Sequence, residues 1–181
     1  MTEPSWLALP GESESIEANW LFNLCRQRFR SRISDKEHDF YVLHLADSVN
    51  VIALTTEREL VCVRQFRAGS GEDSLEIPGG LLEAGEDPLT AGARELLEET
   101  GYSGSAPRLI SSVWSNPSLL TSRSHTILIE NVSRVAQPSL DPSEELTIEL
   151  IPESRILESL RDGTIGHALV VAALSTWLLQ R

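Results

Sequence analysis

The chain has 181 residues, a net charge of −12 and 41% hydrophobic residues. That length suits one domain with a real core, or one domain plus a small appendage. The acidic balance excludes a long nucleic-acid partner, whose binding rests on Lys and Arg contacts to phosphates, but it is compatible with a small phosphate ligand held through bound cations.

No membrane span is predicted, because the longest apolar run, Ala168 to Leu174, is far short of the roughly 20 residues a span needs. No basic stretch followed by an apolar one opens the sequence, so a secretory signal is not expected. Cys25 and Cys62 show neither disulfide nor metal spacing, which points to a reducing, cytoplasmic setting. Cys62, inside Leu60 to Val63, reads as a buried thiol.

In chain order, residues 1–15 are acidic and polar with Pro and Gly, and read as a leader with a disordered tip. Phe40 to Leu45, Val51 to Thr55 and Leu60 to Phe66 read as strands, rich in Val, Ile, Leu and aromatics. The polar turn Thr56 to Glu59 makes the last two a hairpin. Leu75 to Ile77 is a short strand ending in Pro78-Gly79-Gly80. A helix follows, with Asp87 as N-cap, Pro88 in its first turn and Gly101 past its end. Strands are then predicted near Arg108 to Trp114, Ser124 to Asn131 and Leu146 to Ile151. Two helices, about Glu153 to Arg161 and Ile165 to Leu179, close the sequence, with Thr164 capping the second. Strands, helix, strands and helices make a mixed α/β (α+β) sandwich, not a regular βαβ repeat.

On a helix from Pro88 to Thr100, Leu89, Ala93, Leu96, Leu97 and Thr100 fall within one arc of about 100°. Glu95, Glu98 and Glu99 fall opposite, spaced i, i+3 and i+4, so their carboxylates sit together. Gly92 is placed on the acidic side, where a missing side chain leaves room. Clustered carboxylates repel, and a divalent cation resolves the conflict; Mg²⁺ takes oxygen ligands from one or two carboxylates plus substrate phosphates. A solvated acidic face is the plain alternative for the helix taken by itself.

The surrounding pattern decides between them. Gly80, five residues, Glu86, seven residues, Arg94-Glu95-Leu96, one residue, Glu98-Glu99, one residue and Gly101-Tyr102 match the Nudix box at every charged and glycine position. Chance would give such a match on the order of 10⁻⁸ to 10⁻⁹ times per start site. Tyr102 departs mildly from the aliphatic that the pattern favours. The chain therefore resembles the Nudix hydrolases. The resemblance implies an α/β/α sandwich with a mixed sheet and an N-terminal β extension. It implies Glu95, Glu98, Glu99 and the Gly79 carbonyl as ligands of Mg²⁺ or Mn²⁺, and Arg94 and Glu86 as a pair steering the glutamates. Gly80 and Gly85 permit backbone geometries that a Cβ would obstruct.

The flanks are more selective. Val63-Arg64-Gln65-Phe66-Arg67, followed by Leu75-Glu76-Ile77-Pro78-Gly79-Gly80, resembles the ADP-ribose pyrophosphatase and nucleotide-sugar diphosphatase branch, as do Pro117 and the segment Asp141 to Glu145. The resemblance runs through Gly163 to Leu169 and covers roughly residues 40 to 178. It implies hydrolysis of ADP-ribose or a nucleoside diphosphate sugar to a nucleoside monophosphate and a sugar phosphate. Arg67 is the candidate substrate arginine, with a strand-end surface charge as its alternative. Glu76 either holds substrate or a metal water, or makes a structural hydrogen bond. Glu144 or Glu145 is the candidate general base, with Glu144 favoured because Glu145 can begin the next strand. Trp20 and Phe22 lie in a segment that in this branch builds a dimerising sheet and can stack on the nucleobase; ordinary packing is the alternative. Pro117 either shapes a substrate loop or makes a turn. His38, His44, His125 and His167 show no ligand spacing.

The expected organisation is an N-terminal β extension over residues 1–45, shared across a homodimer, and a catalytic domain over residues 46–181. Two rival functions remain: a pyrophosphohydrolase of nucleoside triphosphates or dinucleoside polyphosphates, and a silent nucleotide-sugar sensor. The Arg67, Glu76 and Pro117 context argues against the first. The intact box glutamates argue against the second.

Overall fold

In the computed structural model, which describes residues 3–142 and 144–181, most of the leader is a β-strand. Trp6–Ala18 forms strand β1, paired antiparallel with β2 (Phe22–Ser31), which pairs in turn with β3 (Glu37–Leu45). The disordered tip expected within residues 1–15 does not extend past Trp6, where long-range pairing that local propensity does not register begins; Met1 and Thr2 lie outside the described residues. Pro10 and Gly11 fall where the β1–β2 register shifts, between Ala8 and Ser13, so the proline costs no ladder bond and Gly11 takes φ +76°. Trp6 meets Phe40 edge to face at 5.2 Å, and Arg28 and Arg30 bind Asp39 and Glu37 across the β2–β3 pair.

The chain divides into two compact units. One holds the residues up to Ala46 together with Trp114–Arg123. That returning segment is held by the Leu43 amide on the Leu119 carbonyl and the Thr121 amide on the Leu43 carbonyl. The other unit holds Asp47–Val113 and Ser124–Arg181.

The second unit is built on β4 (Ser48–Thr55), β5 (Glu59–Arg67), β6 (Glu72–Glu76), β7 (Tyr102–Ser103), β8 (Arg108–Trp114), β9 (Arg123–Arg134) and β10 (Leu146–Pro152). The sheet order is β10-β5-β4-β9-β7, with β6 on β5 and β8 on β9. β4 and β9 run parallel, whereas β4–β5, β5–β6, β5–β10 and β7–β9 are antiparallel, so the sheet is mixed, as expected. Period-2 alternation sends neighbouring side chains to opposite faces. Ile52, Leu54, Leu60, Cys62 and Leu128 pack on one side with Ile156, Val170, Leu174 and Trp177. Val49, Val51, Ala53, Val61, Ile127 and Ile129 pack on the other with Ala91 and Leu96. Helix α1 (Pro88–Thr100) covers this second face. Helices α2 (Ile156–Arg161) and α3 (Ala168–Leu179) cover the first, giving the α/β/α sandwich. Cys62 is fully buried, and burial pushes its thiol up to about 12, as an inert core cysteine requires.

Two helix boundaries differ from expectation. Glu153–Arg155 is a single 3-10 turn before α2. The last helix begins at Ala168 rather than Ile165, and Thr164 does not cap it. Gly163 sits at φ +81°, and Asp162 takes the Thr164 amide, so these residues form a turn instead. Among the described residues no helix is long and apolar enough to cross a membrane.

Candidate active site

Helix α1 starts and stops where local chemistry dictates. The Asp87 carboxylate accepts the Leu89 and Thr90 amides, Pro88 opens the first turn, and Gly101 closes the helix at φ +72°. A Cβ on Gly101 would lie 2.1 Å from the Ala136 carbonyl oxygen, so glycine is required twice over.

The rotation of α1 about its axis corrects the expected apolar stripe. Ala91, Gly92, Leu96, Glu99 and Thr100 are buried, whereas Ala93 and Leu97 face solvent. Gly92 does not open space for a ligand: a Cβ there would meet Ile127 at 3.0 Å, so the missing side chain lets the helix approach the sheet. Glu99 therefore points into the protein and is only 4% exposed. Its partner is the loop that follows β6. The Gly79 amide donates to Glu99 at 3.0 Å, while Pro78 and Gly80 lend their carbonyls to the Val51 and Val49 amides of β4. A Cβ on Gly79 would strike the Val49 carbonyl at 2.1 Å, and one on Gly80 would strike the Glu95 carboxylate at 2.4 Å. The double glycine is what allows loop, strand and helix to close together.

Arg94 organises the rest. Its Nε and Nη2 bind both oxygens of Glu86 at 3.0 and 2.9 Å, and its Nη1 reaches Glu95 at 2.9 Å and Glu98 at 3.0 Å. Nη2 also donates to the Leu81 carbonyl. Arg94 thus ties the loop to the helix. On the other side of the double glycine, Arg67 makes a two-pronged pair with Glu76 at 2.8 and 2.7 Å. Glu76 is only 3% exposed. Arg67 holds its carboxyl below the usual range against the opposing effect of burial, so Glu76 reads as the anchor of Arg67.

Glu83, Arg94, Glu95, Glu98, Glu99, Ser139, Asp141 and Glu144 line a cavity of about 310 Å³. The Ser139 amide on the Glu98 carbonyl fixes the far wall. Glu144 faces the cavity; Glu145, next to β10, is not among its lining residues. Ser139, Asp141 and Glu83 were not legible as site residues, because nothing in their local pattern marks them. Trp20 stands at the β1–β2 turn, 91% exposed, and Pro117 lines a separate cavity of about 290 Å³ with Val42, Trp114 and Leu120; both belong to the first unit. Phe22 is partly buried at the start of β2.

The electrostatics of the cavity favour a cation. Burial pushes Glu99 up to about 8 against the pull of the Gly79 amide, and the charges of Glu95 and Glu144 push it further. Burial also raises Glu95, more than Arg94 lowers it. Among the described residues no three such side chains already converge on one metal position. Arg94 and the Gly79 amide occupy the carboxylates instead. The donor set is nevertheless all oxygen, negative and partly desolvated, which fits a hard divalent ion.

Comparison with known proteins agrees with this geometry. The model of the NUDIX domain matches residues 44–174. The chain is 35% identical over 134 residues to the methanol dehydrogenase activator of Bacillus methanolicus, covering 74% of this chain and 72% of that protein. It is 35% identical to the ADP-ribose pyrophosphatase of Bacillus subtilis (strain 168), covering 56% of this chain and 58% of that one, and 39% identical to the ADP-sugar pyrophosphatase of Mus musculus, covering 46% and 40%. The chain thus spans between two fifths and three fifths of the two pyrophosphatases. A crystal structure of an ADP compounds hydrolase shares the fold at a TM-score of 0.84 and 18% identity, over 99% of this chain and 96% of that one. The matched span contains the whole of Gly80 to Tyr102 and the acidic cavity built on it, and the chain belongs to the NUDIX domain family of hydrolases.

Proposed function

We propose that this protein hydrolyses the diphosphate bond of ADP-ribose or a nucleoside diphosphate sugar, giving a nucleoside monophosphate and a sugar phosphate. The observation that carries the reading is the acidic cavity where Glu95, Glu98, Glu99 and Glu144 meet beside the Gly79 loop. The names of the Bacillus subtilis and mouse relatives support the substrate class.

Glu95, Glu98, Glu99 and the Gly79 carbonyl would hold Mg²⁺ or Mn²⁺. Bound there, the metal would act as a Lewis acid on the diphosphate and lower the pKa of water. The protein's own groups do the rest. Glu86, through Arg94, fixes the directions of Glu95 and Glu98. Glu76 holds Arg67 so that its remaining N–H groups can donate to a diphosphate oxygen. Glu144, which makes no salt bridge among the described residues, orients the attacking water and accepts its proton. Residues from Asp47 onward, apart from the returning segment, form the catalytic unit. The N-terminal sheet is the dimerising element, supported by the exposed Leu7, Ile16, Trp20 and Tyr41. Trp20 offers an open indole face to a nucleobase, and Pro117 shapes the wall of the apolar cavity.

Phosphate release, coupled to a phosphatase, from ADP-ribose, several nucleotide sugars, triphosphates and dinucleoside polyphosphates tests the reading. Diphosphate sugars should be turned over fastest, activity should vanish with a chelator, and it should return with Mg²⁺ or Mn²⁺. Faster release from triphosphates, or full turnover without divalent metal, overturns it.

A further inference from the structure

A third cavity, of about 570 Å³, lies where the β5–β6 turn meets the loop leading into α3. Arg67, Asp73, Ser74, Thr164, Gly166 and His167 are among its walls. Its volume falls within the roughly 300–1,000 Å³ range of small-molecule sites. Nothing in the mechanism above uses it except Arg67, which connects it to the glutamates. Arg67 pairs with Glu76, Glu76 lies three residues before Gly79, and Gly79 holds Glu99. The negative charges of Glu99 and Glu144 also reach Arg67.

We propose that this cavity is the subsite for the sugar half of the substrate, with Asp73 and Thr164 as its specificity-determining residues. This rests on the diphosphate-sugar reading. The wall chemistry selects the occupant. No Phe, Tyr or Trp lines it among the described residues, so it offers no platform for a stacked base. Its one guanidinium is the group assigned above to the diphosphate, and Glu72 and Asp73 bring negative charge, so it does not suit another phosphate. Hydroxyls of Ser70, Ser74 and Thr164 alternate with carboxylates and backbone groups of Gly69, Gly163 and Gly166, which matches the mixed donors and acceptors of a polyol. His167 adds a ring nitrogen, Nδ1, that is buried without a hydrogen-bond partner among the described residues, and that a ligand hydroxyl or water can satisfy.

Asp73 and Thr164 are both exposed, so Asp73→Asn and Thr164→Val leave the core untouched. The test compares kcat/KM on two substrates with the same diphosphate: ADP-ribose, and the methyl ester of ADP, which has no second sugar. Each variant should lose at least about fivefold on ADP-ribose, the worth of roughly one hydrogen bond, while staying within about twofold of wild type on the methyl ester. Equal losses on both substrates, or no loss on either, overturn the subsite. A wild-type protein that cleaves neither substrate overturns the diphosphate-sugar reading itself, and the subsite with it.

Discussion

The Glu99 carboxylate accepts the Gly79 amide at 3.0 Å, and this one bond joins the helix that carries the acidic cluster to the loop that closes over it. Gln in place of Glu99 keeps an acceptor for that amide and removes a buried charge that burial already disfavours. Glu99→Gln should therefore fold with no loss of metal-free stability in urea, while kcat falls on the order of 10²- to 10³-fold, as for loss of one preorganised electrostatic group. Glu98→Gln, on a half-exposed side chain that binds Arg94, should also keep its fold and lose activity. A Glu99→Gln protein that unfolds, or that turns over near the wild-type rate in saturating Mg²⁺, would contradict the assignment.

Gly101 and Gly85 share a left-handed backbone, at φ +72° and +79°, but differ in surroundings. A Cβ on Gly85 meets nothing within 4 Å, whereas one on Gly101 meets the Ala136 carbonyl at 2.1 Å. Gly85→Ala should cost about 1–2 kcal/mol, the left-handed penalty by itself. Gly101→Ala should cost clearly more, because strand or loop must also move. Paired urea titrations measure the difference; equal costs would mean that the Ala136 contact relaxes freely.

The limits of legibility follow from which forces are local. The ends of α1 could be read because Asp87, Pro88 and Gly101 act within one turn of chain. The rotation of the helix could not. Leu89, Ala93, Leu96 and Leu97 define a plausible apolar face, but packing of Gly92 on Ile127 and the Gly79–Glu99 bond turned the helix so that a carboxylate faces inward. Strands β1 and β2 were missed individually because their polar, charged sequences gain stability from partners such as Asp39 and Glu37, distant in sequence. The acidic cluster was legible as a spacing. Of the wall across from it, Glu144 was legible through the family resemblance, but Ser139 and Leu140 were not, since only the fold brings them into the cavity with Glu95 and Glu99.

Glu153 gives a pH signature away from the site. Burial would push its carboxyl up, but Arg58 and Arg181 outweigh that effect and hold it below the usual 4.5. A folded-state value below the unfolded one means that the contribution is complete above about pH 4.5 and is lost as pH falls toward the folded value. Because both arginines are more than a third exposed, solvent screening limits the contribution to about 1 kcal/mol. Wild type should exceed Glu153→Gln by that amount at pH 7, and the gap should narrow below about pH 4.5 in urea titrations. A gap unchanged down to pH 3 would remove the ion pairs as its cause.

Assembly is the last prediction. Leu7, Ile16, Trp20 and Tyr41, on or beside the three-stranded N-terminal sheet, are each at least 46% exposed. A monomer would keep these apolar side chains in water at about 25 cal/mol per Å², and a two-fold homodimer is the commonest closed assembly that could cover them. The β1 edge is open as well: β1 pairs with β2 on one side, and among the described residues no strand of that sheet lies on its second side. Light scattering behind size-exclusion chromatography should give twice the mass of one chain at micromolar concentration. Charged substitutions at two of these side chains, Ile16→Glu with Tyr41→Glu, should shift the mass toward that of one chain without unfolding the catalytic unit, which circular dichroism can follow. A single-chain mass for the unaltered protein would rule the stable dimer out. A dimer that survives both substitutions would place its interface elsewhere on the surface.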